Sequence, residues 1–177
     1  MNGTLERTLA ICAFVTSLVA VSATIYDGWQ NRRYQRLTQI PFVHLDHSIT
    51  VEGGFRIDMA NSGNGPAIIK SISLFLDNSE IPSWDEFVAV AGADTHYRFT
   101  VPWPGTVIKP GVIGSSLLAI PDLEKSKAMW DARLRLNVRL CYCSLYDECM
   151  TIFLMSLQKI PTSSCPSESK IRLPRMI

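Results

Sequence analysis

A chain of 177 residues has room for one domain with a real core and one further element such as an anchor, but not for two catalytic domains. Lys and Arg number 17 against 16 Asp and Glu, a formal net charge of +1, so no global field draws the chain to nucleic acid or to an acidic substrate. Hydrophobic residues make up 47% of the chain, and the excess is gathered at the N-terminus.

Residues 8–26 read TLAICAFVTSLVAVSATIY, without a charged side chain. Crossing ~30 Å of hydrocarbon takes a helix of ~20 apolar residues, so the segment is long enough to span. Its serines and threonines return their hydroxyls to the helix backbone, and Ala13, Ser17 and Ala20 give one face of small side chains. Tyr26, Trp29 and Tyr34, with Arg32, Arg33 and Arg36, are the expected anchors at the membrane interface. The rival reading is a cleaved signal peptide, because Val21-Ser22-Ala23 places small residues where a peptidase cuts. The aromatic and basic continuation favours a retained anchor over residues 1–40. Three arginines after the span against Arg7 before it put the rest of the chain in the cytoplasm, an orientation that the cysteines oppose.

Pro41 ends the helical pattern, and short apolar runs separated by turn residues follow. Residues 41–51 predict a strand in which neither face is cleanly apolar. After Gly53-Gly54, Phe55, Ile57 and Met59 alternate with polar residues. SGNG then turns the chain into a long strand over 66–77, apolar at Ile68, Ile72, Leu74 and Leu76. Residues 83–92 predict a short helix capped by Ser83, and DLEKSKAMWDAR a second one. Between them, HYRFTVPW and TVIKPGVIGSSLLAI predict strands. In RLRLNVRLCYC, Leu134, Leu136, Val138, Leu140 and Tyr142 alternate with Arg133, Arg135, Asn137, Arg139 and Cys141, which predicts a strand with one buried and one wet face. CMTIFLMSLQ returns as its hairpin partner. The expected fold is mainly β: an N-terminal transmembrane helix, an antiparallel immunoglobulin-like β-sandwich over 41–159 with two short helical insertions, and a flexible tail over 160–177.

CYCSLYDEC places three thiols in a hairpin, where Cys143 and Cys149 become cross-strand neighbours close enough for a disulfide. Zinc ligation, with Cys165 as a fourth ligand, lacks the usual knuckle spacing. A disulfide demands an oxidising compartment, such as a periplasm; reduced thiols fit the cytoplasmic orientation. Arg133, Arg135 and Arg139 form a candidate anionic contact, weighed against an ordinary solvated strand face. Trp103, between two prolines, is a candidate aromatic contact. His44 and His47 fall on opposite faces of a strand, and His96 stands alone. No nucleophile elbow or phosphate loop is present: Gly63 and Gly65 precede Pro66 and a strand, not a helix. No cofactor or metal is expected.

QNRRYQRLTQIP after an apolar helix, NSGNGPAIIKSISLFLD, VIKPG and LCYCSLYDEC together resemble a widespread group of uncharacterised bacterial single-pass membrane proteins, over most of residues 8–157. The resemblance implies fold, anchor and the bacterial inner membrane, and it brings no catalytic residues. The expected function is non-catalytic: an accessory module that binds a membrane protein partner, or a homo-oligomer, at the lipid bilayer and takes no nucleic acid. The alternative is a ligand-sensing or membrane-disrupting effector that oligomerises and uses the arginine face.

Overall fold

The computed structural model describes residues 3–52, 54–90, 92, 97–154 and 156–166. The chain divides into two compact units, Met1–Thr38 and Gln39–Ile177.

The first unit is one helix, α1 (Gly3–Thr38), whose 36 residues extend about 54 Å at 1.5 Å per residue. It is long and apolar enough to cross a membrane between Glu6 and Thr38, properties that a signal sequence shares. Its large apolar side chains, among them Leu9, Ile11, Phe14, Leu18 and Ile25, are exposed. Thr16, Ser22 and Thr24 donate to the carbonyls four residues back, so these hydroxyls are satisfied within the helix.

The second unit is built from antiparallel strands. One sheet has the order β1-β2-β7-β5, from β1 (Val43–Thr50), β2 (Gly54–Asn61), β7 (Val112–Ile120) and β5 (Arg98–Phe99). The other has the order β10-β9-β8-β3-β4, from β10 (Ser156–Thr162), β9 (Cys149–Phe153), β8 (Leu136–Cys143), β3 (Ala67–Leu76) and β4 (Ser79–Ile81), and β6 (Val107–Ile108) also pairs with β3. Phe55, Ile57 and Met59 of β2 and Leu118 and Ile120 of β7 share one buried apolar cluster with Ile72 and Leu74 of β3 and Val138 and Leu140 of β8. Helix α2 (Trp84–Val90) adds Trp84 and Phe87 to it, and α3 (Leu123–Ala132) adds Met129. Ser83 caps α2 as expected, its Oγ accepting from Glu86 N, and Asp122 caps α3, accepting from Lys125 N.

Four departures from the sequence reading have local causes. The β3/β8 ladder slips between Ile69 and Ser71, so β3 buries Ala67 and Ile69 before the slip and Ile72 and Leu74 after it, instead of one unbroken alternation. The chain turns at Asp77 and Asn78, both at positive φ, into the unforeseen hairpin strand β4. Strand β8 begins only at Leu136: Arg133 is the C-cap of α3, and Leu134 is exposed. The tail expected from residue 160 instead completes β10, whose Ile160, Pro161 and Thr162 pair with Thr151, Met150 and Cys149.

The NSGNG segment joins the two sheets rather than forming a hairpin, since β2 and β3 lie in different sheets. Asn61 is fully buried and uses its whole amide. Its oxygen accepts from Phe42 N at 3.0 Å and Gly63 N at 3.1 Å, while its nitrogen donates to Gly65 O at 2.9 Å and Ile108 O at 3.2 Å. A Cβ at Gly65 would stand 1.9 Å from Gln39 O, and one at Gly63 2.2 Å from Phe42 N, so these glycines admit a passing backbone.

Candidate functional site

A cleft of about 490 Å³ runs along the edge of β1 that has no strand partner among the described residues, beside β9 and β10. That volume falls in the ~300–1,000 Å³ range of small-molecule sites. The core residues Val43, Leu45, Ile152 and Leu154, each under 10% exposed, lie beneath it, with Phe42, Phe153, His44, Asp46, His47, Ser62, Ser156 and Lys159 also bordering it. His44 and His47 both border it although they point to opposite faces of β1, because the cleft follows the strand's open edge.

Lys159 enters the cleft from the irregular stretch of the β9/β10 ladder between Ser156 and Ile160. A bulge re-aims side chains in this way. The ammonium lies against the ring of Phe42. Its Nζ is buried, though the residue as a whole is partly exposed, and it has no hydrogen-bond partner among the described residues. Burial pushes the Lys159 pKa down to about 8.

His44 places Nε2 3.4 Å from Asp46 Oδ2, while its Nδ1 is buried and, among the described residues, also without a partner. His47 packs on Trp130 with ring centroids 5.4 Å apart. Burial, and then the nearby Arg133, lower its pKa, with Asp46 opposing. Lys159 and the free nitrogen of His44 escaped sequence reasoning. The first depends on a bulge that no turn residue announces, the second on a strand with no clean apolar face.

At the other end of β8 and β9 the thiols are joined. Cys143 and Cys149 are directly opposed, with Cα atoms 4.0 Å and sulfurs 2.00 Å apart. Cys141 bonds Cys165 across a separation of 24 residues, sulfur to sulfur 2.04 Å, a pairing the sequence reading did not make. The face carrying Cys141 and Cys143 is therefore not wet: both are 2% exposed, Cys141 also meeting Thr151 Oγ1 at 3.4 Å. Three of the sulfurs, those of Cys143, Cys149 and Cys165, lie within 4.8 Å of one another. Sulfurs held in disulfides are not thiolate ligands for zinc. Two disulfides fit an oxidising compartment.

The arginines do not form one free row. Arg133 closes α3, its guanidinium 4.3 Å from the centroid of Trp130 and donating to that residue's carbonyl at 2.6 Å. Arg135 grips Asp77 with two nitrogens, at 3.0 Å and 2.7 Å, and holds that carboxyl below its ordinary range. Arg139 donates to Ser73 Oγ at 3.2 Å, stands 3.9 Å from Glu80 and lies over Phe75.

Tyr26, Trp29, Arg32, Arg33, Tyr34 and Arg36 all lie on α1 and are exposed, with Arg33 5.9 Å from the centroid of Trp29. Trp103 is 62% exposed and borders a second hollow of about 420 Å³. His96 lies outside the described residues, as do residues 167–177 of the expected tail. Comparison of the chain with protein-family models, curated proteins and solved structures gave no match.

Proposed function

We propose that the chain is a membrane-tethered recognition module without catalytic activity. In this reading α1 is the span, the two sheets make an immunoglobulin-like sandwich in the periplasm of a bacterium, and the unpaired edge of β1 docks a partner protein of the same inner membrane. The paired cysteines outweigh the three arginines after the span, because two disulfides require an oxidising space whereas a bias of a few short-loop charges is easily overridden. The observation that carries the reading is the open β1 edge beside a cleft whose rim holds Phe42, half exposed. An unpaired edge offers backbone groups to an added strand, and an adjoining apolar cleft gives its side chains a place. Tethering raises the effective concentration of a neighbour in the same bilayer. The effector alternative built on Arg133, Arg135 and Arg139 finds less support, since each guanidinium already has an internal partner.

A photo-crosslinking residue at position 42, in the full chain in native membranes, tests this reading against the same residue at exposed Leu145. The expected result is a discrete protein adduct from position 42 alone. Identical adducts from both positions, or none from position 42, would refute the docking edge.

A further inference from the structure

The two disulfides stand close enough to exchange. Cys141 and Cys143 lie on β8, two positions apart, and both are 2% exposed; Cys165 is bonded to the first and Cys149 to the second. Cys143 Sγ is also 3.9 Å from Cys165 Sγ, to which it is not bonded, and the sulfurs of Cys143, Cys149 and Cys165 lie within 4.8 Å of one another. Thiol–disulfide exchange requires a thiolate within reach of a disulfide sulfur, and a leaving sulfur that can hold the charge. Access to the sulfurs differs. Cys149 is half-buried at the mouth of a hairpin whose residues 145–148 are exposed, while its partner Cys143 is closed off. Thr151, opposite Cys141 on β9, donates its hydroxyl to Cys141 Sγ at 3.4 Å, so a thiolate released there meets a hydrogen-bond donor.

We infer that the four cysteines form an exchange relay, through which an external dithiol entering at Cys149 moves the anchorage of Cys165 from Cys141 to Cys143. A thiolate of the dithiol attacks Cys149 Sγ; the Cys143–Cys149 bond breaks, and its electron pair leaves on Cys143. The Cys143 thiolate attacks Cys165 Sγ, forming Cys143–Cys165, and Cys141 leaves as a thiolate beside Thr151. The second thiol of the dithiol then attacks the dithiol sulfur held on Cys149, closing the dithiol's own disulfide and releasing Cys149. The dithiol is oxidised by two electrons, the chain is reduced by two, and the protons of the dithiol end on Cys141 and Cys149. One link survives, displaced by two residues, or ~6.7 Å, along β8, and with it the segment that joins β10 to Cys165. The relay uses the disulfides alone, so it stands or falls apart from the docking edge.

The test uses the full oxidised chain in detergent, with Cys12→Ser removing the exposed free thiol. Dithiothreitol is added in limiting amount, and exchange is stopped with acid and N-ethylmaleimide. Chymotryptic cleavage after Tyr142 separates Cys141 from Cys143, and the linked peptides are read by mass spectrometry. Molecules that keep one disulfide should include Cys143–Cys165, with Cys141 and Cys149 alkylated, in an amount within ~10-fold of those that keep Cys141–Cys165. In Cys149→Ser, where Cys143 is a permanent thiol, both links should form with no dithiol added. One-disulfide molecules that hold only Cys141–Cys165 or only Cys143–Cys149 would overturn the inference, as would a Cys149→Ser chain with Cys143 wholly alkylated. A product with every possible pairing, the same as from the chain in urea, would assign the exchange to unfolding and overturn it too.

Discussion

Phe42 and the start of β1 lie between two polar regions of opposite character. On one side, Asn61 spends every hydrogen-bonding position of its amide on Phe42, Gly63, Gly65 and Ile108. On the other, Lys159 Nζ and His44 Nδ1 border an apolar cleft and, among the described residues, bond to nothing. Both regions bury polar atoms, but only the first repays their desolvation within the chain. A saturated buried amide specifies where backbones meet, while unsaturated groups beside an open space are placed for something that arrives.

The sharpest way to break this contrast is to remove the saturated side. Asn61→Leu leaves two backbone donors, of Phe42 and Gly63, and two carbonyls, of Gly65 and Ile108, without their side-chain partner. At ~1–3 kcal/mol for each buried group left unpaired, with partial rescue by water, the expected loss is about 3–5 kcal/mol. Urea unfolding of the full chain in detergent, followed by near-UV circular dichroism, measures it. A loss under about 1 kcal/mol would mean that Asn61 is no more structural than the groups of the cleft.

The disulfides give the next largest effect, and they connect the two regions because Cys165 secures the strand that carries Lys159. By loop-entropy scaling, the Cys141–Cys165 link, spanning 24 residues, contributes about 3.5 kcal/mol, and the Cys143–Cys149 link, spanning 6, about 2.2 kcal/mol. Replacing Cys141 and Cys165 together by serine should therefore lower the urea midpoint more than replacing Cys143 and Cys149. The reverse order would show that the hairpin clip, not the long link, holds β10 in place.

Much of the β unit was legible because its signals are local. The alternation of Phe55, Ile57 and Met59, the cap Ser83, and the opposition of Cys143 to Cys149 all follow from spacing over a few residues. Asp77-Asn78 was legible in principle, since both residue types tolerate the positive φ that the turn requires. What escaped was set at long range or by irregularity. The slip at Ile69/Ser71 reverses the parity of β3, and Cys141 meets Cys165 only because β10 folds back along β9. Lys159 reaches the cleft through a bulge, so the alternation of its own strand says nothing of its direction. The candidate site was the least legible part because it is assembled from two strand edges in different sheets.

The smallest effect tests the unsaturated side directly. Burial lowers the Lys159 pKa to about 8, against about 10.4 in an unfolded chain. Between these values the unfolded state binds more protons than the folded one, so the wild type gains stability as pH rises through this window. Below pH 8 the folded state bears the full cost of the uncompensated ammonium; above about 10.4 both states are neutral and the cost is gone. Lys159→Met removes that cost at every pH. It should be more stable than wild type at pH 6–7, by about 1 kcal/mol or less because the residue is partly solvated, and the gap should close as the pH approaches 10. Melting temperatures of the two full chains at pH 6.5, 8 and 9.5 measure this. A gap that is constant with pH would mean that Lys159 is fully hydrated, and with it the contrast with Asn61 would disappear.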